Sequence, residues 1–73
     1  MAREIIEAPI TGKIISVNVK VGDKIKEGDT VCMLESMKME NPIVAPVSGK
    51  ITEIMVTANQ NVETGQVVAV IEY

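Results

Sequence analysis

The sequence predicts an all-β domain in which two small antiparallel sheets face each other as a sandwich or flattened barrel. Three observations support this fold class: an internal repeat, short apolar runs rich in β-branched residues, and glycine-containing turns between them. No segment shows the 3.6-residue apolar periodicity of an amphipathic helix. The chain has 73 residues, and we expect one domain that spans residues 1–73.

An internal repeat relates the two halves of the chain. Residues 8–35 align without a gap onto residues 45–72, and nine of the 28 aligned positions are identical. Two copies are too few to stack into a solenoid, so we expect one closed fold with approximate twofold symmetry. The identical pairs are Ala8/Ala45, Pro9/Pro46, Gly12/Gly49, Lys13/Lys50, Ile14/Ile51, Val19/Val56, Gly28/Gly65, Val31/Val68 and Glu35/Glu72.

Each half-repeat has the features of short strands. Residues 15–21 alternate between apolar and polar side chains, which is the period of a half-buried strand. The apolar positions of this segment are Ile15, Val17, Val19 and Val21. Residues 31–34 and 67–71 are continuously apolar, and their short length and β-branched content favour buried strands over helices. We therefore expect about eight short strands in the two sheets together.

Turn residues recur at equivalent positions of the two halves. Gly22-Asp23 and Gly28-Asp29 mark turns in the first half, and Gly28 recurs as Gly65. Gly22 is replaced by Asn59, and Asn is the residue that best tolerates a positive φ after glycine. We therefore predict a left-handed turn conformation at positions 22 and 59.

Composition argues against several classes of function. The net charge is −3, no basic cluster is present and Tyr73 is the only aromatic residue, so we do not expect nucleic-acid binding. The chain has no histidine and one cysteine, Cys32, so an intrachain disulfide is impossible and a zinc site is not expected. We predict that Cys32 is a buried strand residue. No apolar run has the length of a bilayer-spanning helix, so we expect no direct membrane insertion.

The segment that joins the two halves contains a single lysine between two methionines, in the sequence LESMKMENP. Because the repeat maps the residues after Glu35 onto the chain end after Glu72, we expect residues 36–39 at one end of the domain and both termini at the other. Lys38 would then lie at the tip of a hairpin formed by residues 35–40. We expect both flanking methionines to be exposed on one face, since strand side chains alternate. Methionine also fills gaps in cores, which is the alternative for these two residues.

This central motif resembles the biotinyl carrier domain of biotin-dependent carboxylases and decarboxylases. That family carries Glu-Ala-Met-Lys-Met, and this chain has Glu35-Ser36-Met37-Lys38-Met39, with serine in place of alanine. The resemblance implies that Lys38 is the residue that becomes biotinylated. It also implies that Glu35, Ser36, Met37 and Met39 take part in recognition by biotin protein ligase, although Glu35 can equally be an ordinary charge at a strand end.

The similarity to this family covers residues 5–72 and includes a proline- and glycine-containing turn before a strand, at 8–12 and again at 45–49. It implies a carrier with covalent biotin as its cofactor and no catalytic residues of its own. Such a carrier shuttles carboxybiotin between a biotin carboxylase subunit and a carboxyltransferase or decarboxylase subunit. The acceptor, an acyl-CoA or a keto acid, is set by those partners. A cytoplasmic location is expected, since a lone unpaired cysteine suits a reducing compartment.

Two alternatives to a biotin carrier remain at this point. A lipoyl domain has the same fold and a lysine on the same hairpin, but that family usually flanks the lysine with Asp and Ala or Val. The second alternative is an unmodified structural or interaction module of this fold. Against this alternative, we expect none of the exposed aromatic or apolar anchors of a typical interface.

Overall fold

The computed structural model describes residues 2–73, which form two four-stranded antiparallel sheets. The all-β prediction is confirmed, and the described residues contain eight strands, as expected. The domain is elongated, with extents of 36 × 17 × 17 Å. The strands are β1 (Arg3–Glu7), β2 (Gly12–Val17), β3 (Lys24–Ile25), β4 (Thr30–Ser36), β5 (Met39–Val44), β6 (Gly49–Ile54), β7 (Asn61–Val62) and β8 (Val67–Glu72).

The two halves of the chain interlock. One sheet has the strand order β1-β8-β6-β3 and the other has the order β5-β4-β2-β7, so each contains a two-residue strand from the opposite half-repeat. Backbone hydrogen bonds between the halves occur in matched pairs. The Gly22 amide donates to the Ile51 carbonyl over 2.7 Å, and the Asn59 amide donates to the Ile14 carbonyl over 2.7 Å. The predicted pseudo-twofold repeat is therefore a feature of the backbone itself.

Aliphatic side chains fill the space between the sheets. Ile14 and Leu34 are completely buried, and so are their repeat equivalents Ile51 and Ile71. Each of these side chains contributes about 1.5–3 kcal/mol by leaving water. The core therefore depends on both half-repeats, because each supplies strands to both sheets.

The alternation predicted for residues 15–21 is wrong in part. β2 ends at Val17, and its pairing with β4 is irregular between Ile14 and Ser16. Ile14 is buried, whereas Ile15 is 38% exposed and Val21 lies beyond the strand with 63% of its surface exposed. Val17 and Val19 are partly buried against the core, as the alternation predicts. A bulge places an extra residue in one strand, so the side chains that follow it change faces. β6 has an irregularity at the equivalent position in its pairing with β8.

The left-handed turn positions agree with the prediction. Gly22 has a φ of 97° and Asn59 a φ of 72°. Gly28 and Gly65 form the second equivalent pair, with φ values of 91° and 87°. The same backbone conformation at these turns in both halves lets the chain cross from one sheet to the other, so that β3 and β7 each pair with strands of the opposite half.

A second turn feature was not foreseen from the sequence. The carboxylate of Asp23 accepts a hydrogen bond from the Lys20 amide at 2.9 Å, and the side-chain oxygen of Gln60 accepts one from the Thr57 amide at 3.0 Å. Aspartate in one half and glutamine in the other thus accept the equivalent backbone hydrogen bond. The same exchange occurs at the next turn, where the acceptors are Asp29 and Gln66.

Candidate functional site

The segment that joins the halves is a β-hairpin with a two-residue turn. β4 and β5 pair as far as Ser36 opposite Met39, and Met37 and Lys38 form the turn. Both turn residues have positive φ, 53° for Met37 and 66° for Lys38. A two-residue hairpin loop with positive φ at both positions is a type I′ turn, for which Asn and Gly are the favoured residues.

This turn conformation has an energetic cost. A non-glycine residue in the left-handed region costs on the order of 1–3 kcal/mol, and here two consecutive residues adopt it. Asn-Gly would form the same turn with much less strain, because glycine has no Cβ and Asn tolerates a positive φ better than other residues. Folding therefore does not explain the presence of Met37 and Lys38, which points to a function of their side chains.

The tip of the hairpin is open to solvent. Lys38 is exposed, Met37 is 92% exposed and Met39 is 66% exposed. The exposure agrees with the prediction, but its reason differs for Met37, which lies in the turn rather than on a strand. Neither methionine is part of the core, so filling a core gap does not account for them.

Exposure alone does not distinguish Lys38 from other lysines. Lys13 and Lys50 are also exposed, but they lie on β2 and β6, where each is paired with neighbouring strands. Lys38 instead occupies a turn between two paired strands. Its amine is therefore carried on the most protruding part of the hairpin, where a partner's active site can surround it.

The base of the hairpin carries the remaining candidate residues. Glu35 is exposed on β4, opposite Glu40 on β5 and Lys13 on β2. Ser36 is partly buried opposite Met39. The structure thus brings all five candidates, residues 35–39, onto one continuous hairpin. The role of Glu35 and Ser36 in ligase recognition stays a prediction.

Close strand packing at Gly12 supports the hairpin from below, whereas the sequence predicted only a turn that includes this glycine. A Cβ on Gly12 would overlap the Glu35 carbonyl oxygen. A Cβ on the equivalent Gly49 would stand 2.5 Å from the Glu72 carbonyl oxygen, whereas real Cβ atoms essentially never approach within 3.0 Å. The identity of Gly12 and Gly49 in the repeat was the available signal. The absence of a side chain at Gly12 lets β2 lie directly against β4 at Glu35, which is three residues before Lys38.

The hairpin lies away from the chain ends. Ala2 and Tyr73 exchange backbone hydrogen bonds of 2.8 and 2.9 Å, which places the described ends of the chain side by side. β5 leads away from the turn, and residues 45–48 continue into β6, where Lys50 lies opposite Glu72. The lysine tip and the paired residues Ala2 and Tyr73 therefore occupy opposite ends of the domain, as expected for the chain ends that the structure describes.

Cys32 is a buried residue of β4, as predicted. Burial raises the pKa of its thiol from 9.0 to about 11, so the thiol stays protonated at neutral pH. Within residues 2–73 no group of three or more His, Cys, Asp or Glu side chains could hold a metal ion. The same part of the chain has no helix long and apolar enough to cross a bilayer.

A two-sheet fold that presents one lysine on an open hairpin is typical of domains that carry a covalently attached cofactor. The chain belongs to the biotin/lipoyl family described as "Biotin-requiring enzyme", whose sequence profile matches residues 4–71. This match confirms the family expected from the central motif, and the description of the family supports covalent biotin as the cofactor.

Curated relatives match over about half of the chain. The gamma subunit of glutaconyl-CoA decarboxylase from Acidaminococcus fermentans is 56% identical over 39 residues, which are 53% of this chain and 27% of that subunit. A "Biotinylated protein TB7.3 homolog" from Mycolicibacterium smegmatis is 49% identical over 41 residues, which are 56% of this chain and 58% of that protein. The chain thus spans about a quarter of the decarboxylase subunit.

Solved structures match over nearly the whole chain. The urea carboxylase of Kluyveromyces lactis superimposes with a TM-score of 0.92 and 35% identity, over 99% of this chain and 6% of that one. A single-chain, multi-domain long-chain acyl-CoA carboxylase gives a TM-score of 0.88 and 28% identity, over 93% of this chain and 7% of that one. The fold predicted from the sequence is confirmed by both comparisons.

Proposed function

We propose that this chain is a biotin carboxyl carrier that holds biotin as an amide on Nζ of Lys38. The observation that carries the proposal is the type I′ turn, which retains Met37 and Lys38 despite positive φ at both positions. The site fits the group, because an exposed primary amine at the tip of a hairpin can form an amide with biotin's carboxyl group without any displacement of the fold.

The residues of the chain have defined tasks in this function. The hairpin strands and Gly12 hold the turn in one shape, and the Lys38 side chain serves as a flexible stem beyond it. A lysine amine is nucleophilic only without its extra proton, so the ligase has to remove that proton before the amide forms. Amide formation removes the lysine charge, which changes the formal net charge from −3 to −3 − 1 = −4. When bound, biotin supplies a ureido nitrogen that can carry a carboxyl group.

The proposed partners are a biotin protein ligase, a biotin carboxylase subunit and a carboxyltransferase or decarboxylase subunit. Relatives named as parts of carboxylases and decarboxylases support the enzyme subunits in this set, and the ligase is included because Lys38 has to be biotinylated. The chain itself acts without catalytic residues in this proposal. Tethering on Lys38 keeps the cofactor at high effective concentration near each partner site in turn. The large subunit of 2-oxoglutarate carboxylase from Hydrogenobacter thermophilus is 58% identical over 36 residues, so both a keto acid and an acyl-CoA occur among the substrates that the relatives' names give. The partner subunits decide between these substrate classes.

Biotinylation with purified components tests the proposal. The wild-type chain is incubated with a biotin protein ligase, biotin and ATP, and the label is located by peptide mass mapping. Lys38→Arg keeps the charge but removes the primary amine, and Lys13→Arg and Lys50→Arg are matched controls at other exposed lysines. We expect full labelling of the two controls and none of Lys38→Arg.

Label on a lysine other than Lys38, or persistent labelling of Lys38→Arg, would contradict the assignment. A parallel reaction with a lipoate ligase and lipoate separates the two cofactors of the family. Faster modification by lipoate than by biotin would identify the chain as a lipoyl carrier instead.

A further inference from the structure

Two thioether groups flank the proposed attachment lysine in a way that leaves them open to chemical attack. Met37 is 92% exposed and Met39 is 66% exposed. Met33, on the same β-strand as the hairpin base, is only partly exposed. Met55 is 55% exposed, but it follows β6 and is not part of the hairpin. The chain therefore contains an exposed pair beside Lys38 and an exposed methionine elsewhere that serves as a reference.

The thiol of Cys32 does not compete with these thioethers for oxidants. Its residue is completely buried between the sheets. Burial also holds the pKa of the thiol near 11, and the thiolate is the form that reacts with peroxides. In the folded protein at neutral pH, peroxide therefore reaches methionine sulfur before it reaches cysteine.

We propose that Met37 and Met39 form a peroxide-sensitive modification site whose oxidation blocks biotinylation of Lys38. A sulfur lone pair attacks one oxygen of hydrogen peroxide, an S–O bond forms and the O–O bond breaks. The hydroxide that leaves takes the proton from the sulfur-bound hydroxyl and becomes water. Sulfur has then lost two electrons to give methionine sulfoxide, and the peroxide has been reduced. This inference rests on the proposed carrier function.

Oxidation at this site changes recognition rather than folding. Neither methionine packs in the core, so a sulfoxide on either one removes no contact of the core. A ligase that encloses Lys38 must also cover the residues on both sides of it. A sulfoxide is polar where methionine is apolar, and burying it without a hydrogen-bond donor is unfavourable. The modified hairpin is therefore a poor substrate although the domain stays folded.

The experiment compares reduced and peroxide-treated protein. Wild type is treated with hydrogen peroxide, and each methionine is quantified by peptide fragmentation. Circular dichroism checks the fold, and biotinylation kinetics follow with a biotin protein ligase. Met37→Leu/Met39→Leu removes both sulfurs and keeps apolar side chains of similar volume. Met55→Leu is the matched control, because it removes an exposed sulfur away from Lys38. Methionine sulfoxide reductase is then added to the oxidised wild type.

We expect Met37 to oxidise fastest and Met33 slowest among residues 2–73. The oxidised wild type and oxidised Met55→Leu should lose about tenfold or more in kcat/KM for biotinylation, which corresponds to about 1.4 kcal/mol. Met37→Leu/Met39→Leu should keep its rate after peroxide, and the reductase should restore the wild type. An unchanged rate with sulfoxide at both positions, or an equal loss in the double leucine variant, overturns the proposal. Failure of the untreated wild type to accept biotin overturns the carrier function, and the inference with it.

Discussion

Replacing either of the two tightly packed glycines by alanine should destabilise the domain, but only one replacement should disturb the hairpin. Gly12 lies against the Glu35 carbonyl at the base of the lysine hairpin, and Gly49 lies against the Glu72 carbonyl at the opposite end. The two positions are equivalent in the repeat. Gly12→Ala and Gly49→Ala therefore form a matched pair of variants that share their physical cause.

The structure sets the size of the effect. An added Cβ at Gly49 would stand 2.5 Å from a backbone oxygen, and at Gly12 the approach is closer still, so paired strands have to separate. Overpacking of this kind costs about 1–3 kcal/mol. Alanine recovers about 0.4–1 kcal/mol by restricting the unfolded chain. The difference spans about 0–2.6 kcal/mol. Because the added Cβ would meet backbone oxygen rather than a flexible side chain, we expect a net loss of about 1–2 kcal/mol, which lowers the Tm of a domain this size by roughly 4–16 °C.

Thermal unfolding followed by circular dichroism measures the loss of stability in both variants. Biotinylation rates are then compared at a temperature where both variants and the wild type are folded. We expect a slower rate only for Gly12→Ala, because only that change displaces the strand that carries Glu35. A wild-type Tm for both variants would show that the close approach of these glycines to the neighbouring carbonyl oxygens does not affect stability. An equal fall of both biotinylation rates would refute the link between Gly12 and the shape of the hairpin.

Three further predictions concern the recognition residues, the core and the buried thiol. Met37→Asp with Met39→Ala should weaken biotinylation with little change in Tm, because both side chains are exposed, and unfolding of this variant would instead place them in the core. Val56→Ala should lower the free energy of unfolding by about 1.6 kcal/mol, at about 0.8 kcal/mol for each of the two buried carbons removed, and Val19→Ala should lower it less because Val19 is only partly buried. Each variant should unfold in one cooperative transition, and two separate transitions would mean that the halves fold independently. The pKa of Cys32 is raised from 9.0 to about 11 by burial, so its contribution to stability is complete below pH 9 and falls as pH rises toward 11. Denaturant titrations of wild type and Cys32→Ala should show this fall only in the wild type.

Much of the fold could be predicted because equivalent positions of the two half-repeats have to satisfy the same turn conformation or the same burial. Turn positions 22 and 59 hold glycine and asparagine, and only residues tolerant of positive φ satisfy both copies. The burial of Cys32 followed from its place in an apolar run. The side-chain acceptors were missed because Asp23 and Gln60 differ in type, although they accept equivalent backbone hydrogen bonds.

Two features could not be predicted from pattern alone. The bulge between Ile14 and Ser16 leaves Ile15 exposed, although the sequence places it on the same apolar face as Val17 and Val19, and no residue type in this segment signals the bulge. The conformation of the turn was also hidden, because Met37 and Lys38 lack the Asn-Gly signature of a type I′ turn. Local propensity fails at the hairpin tip, where the side chains are explained by function rather than by folding.

The state of Lys38 in the protein purified from the cells that make it tests the central claim most directly. Intact mass and peptide mapping of that protein require no added ligase and no choice of cofactor. The carrier function predicts biotin as an amide on Lys38 and unmodified amines at Lys13 and Lys50. A lipoyl group on Lys38, biotin on another lysine, or a chain that carries no group at all under conditions where other biotin proteins of the same cells are fully biotinylated would contradict it.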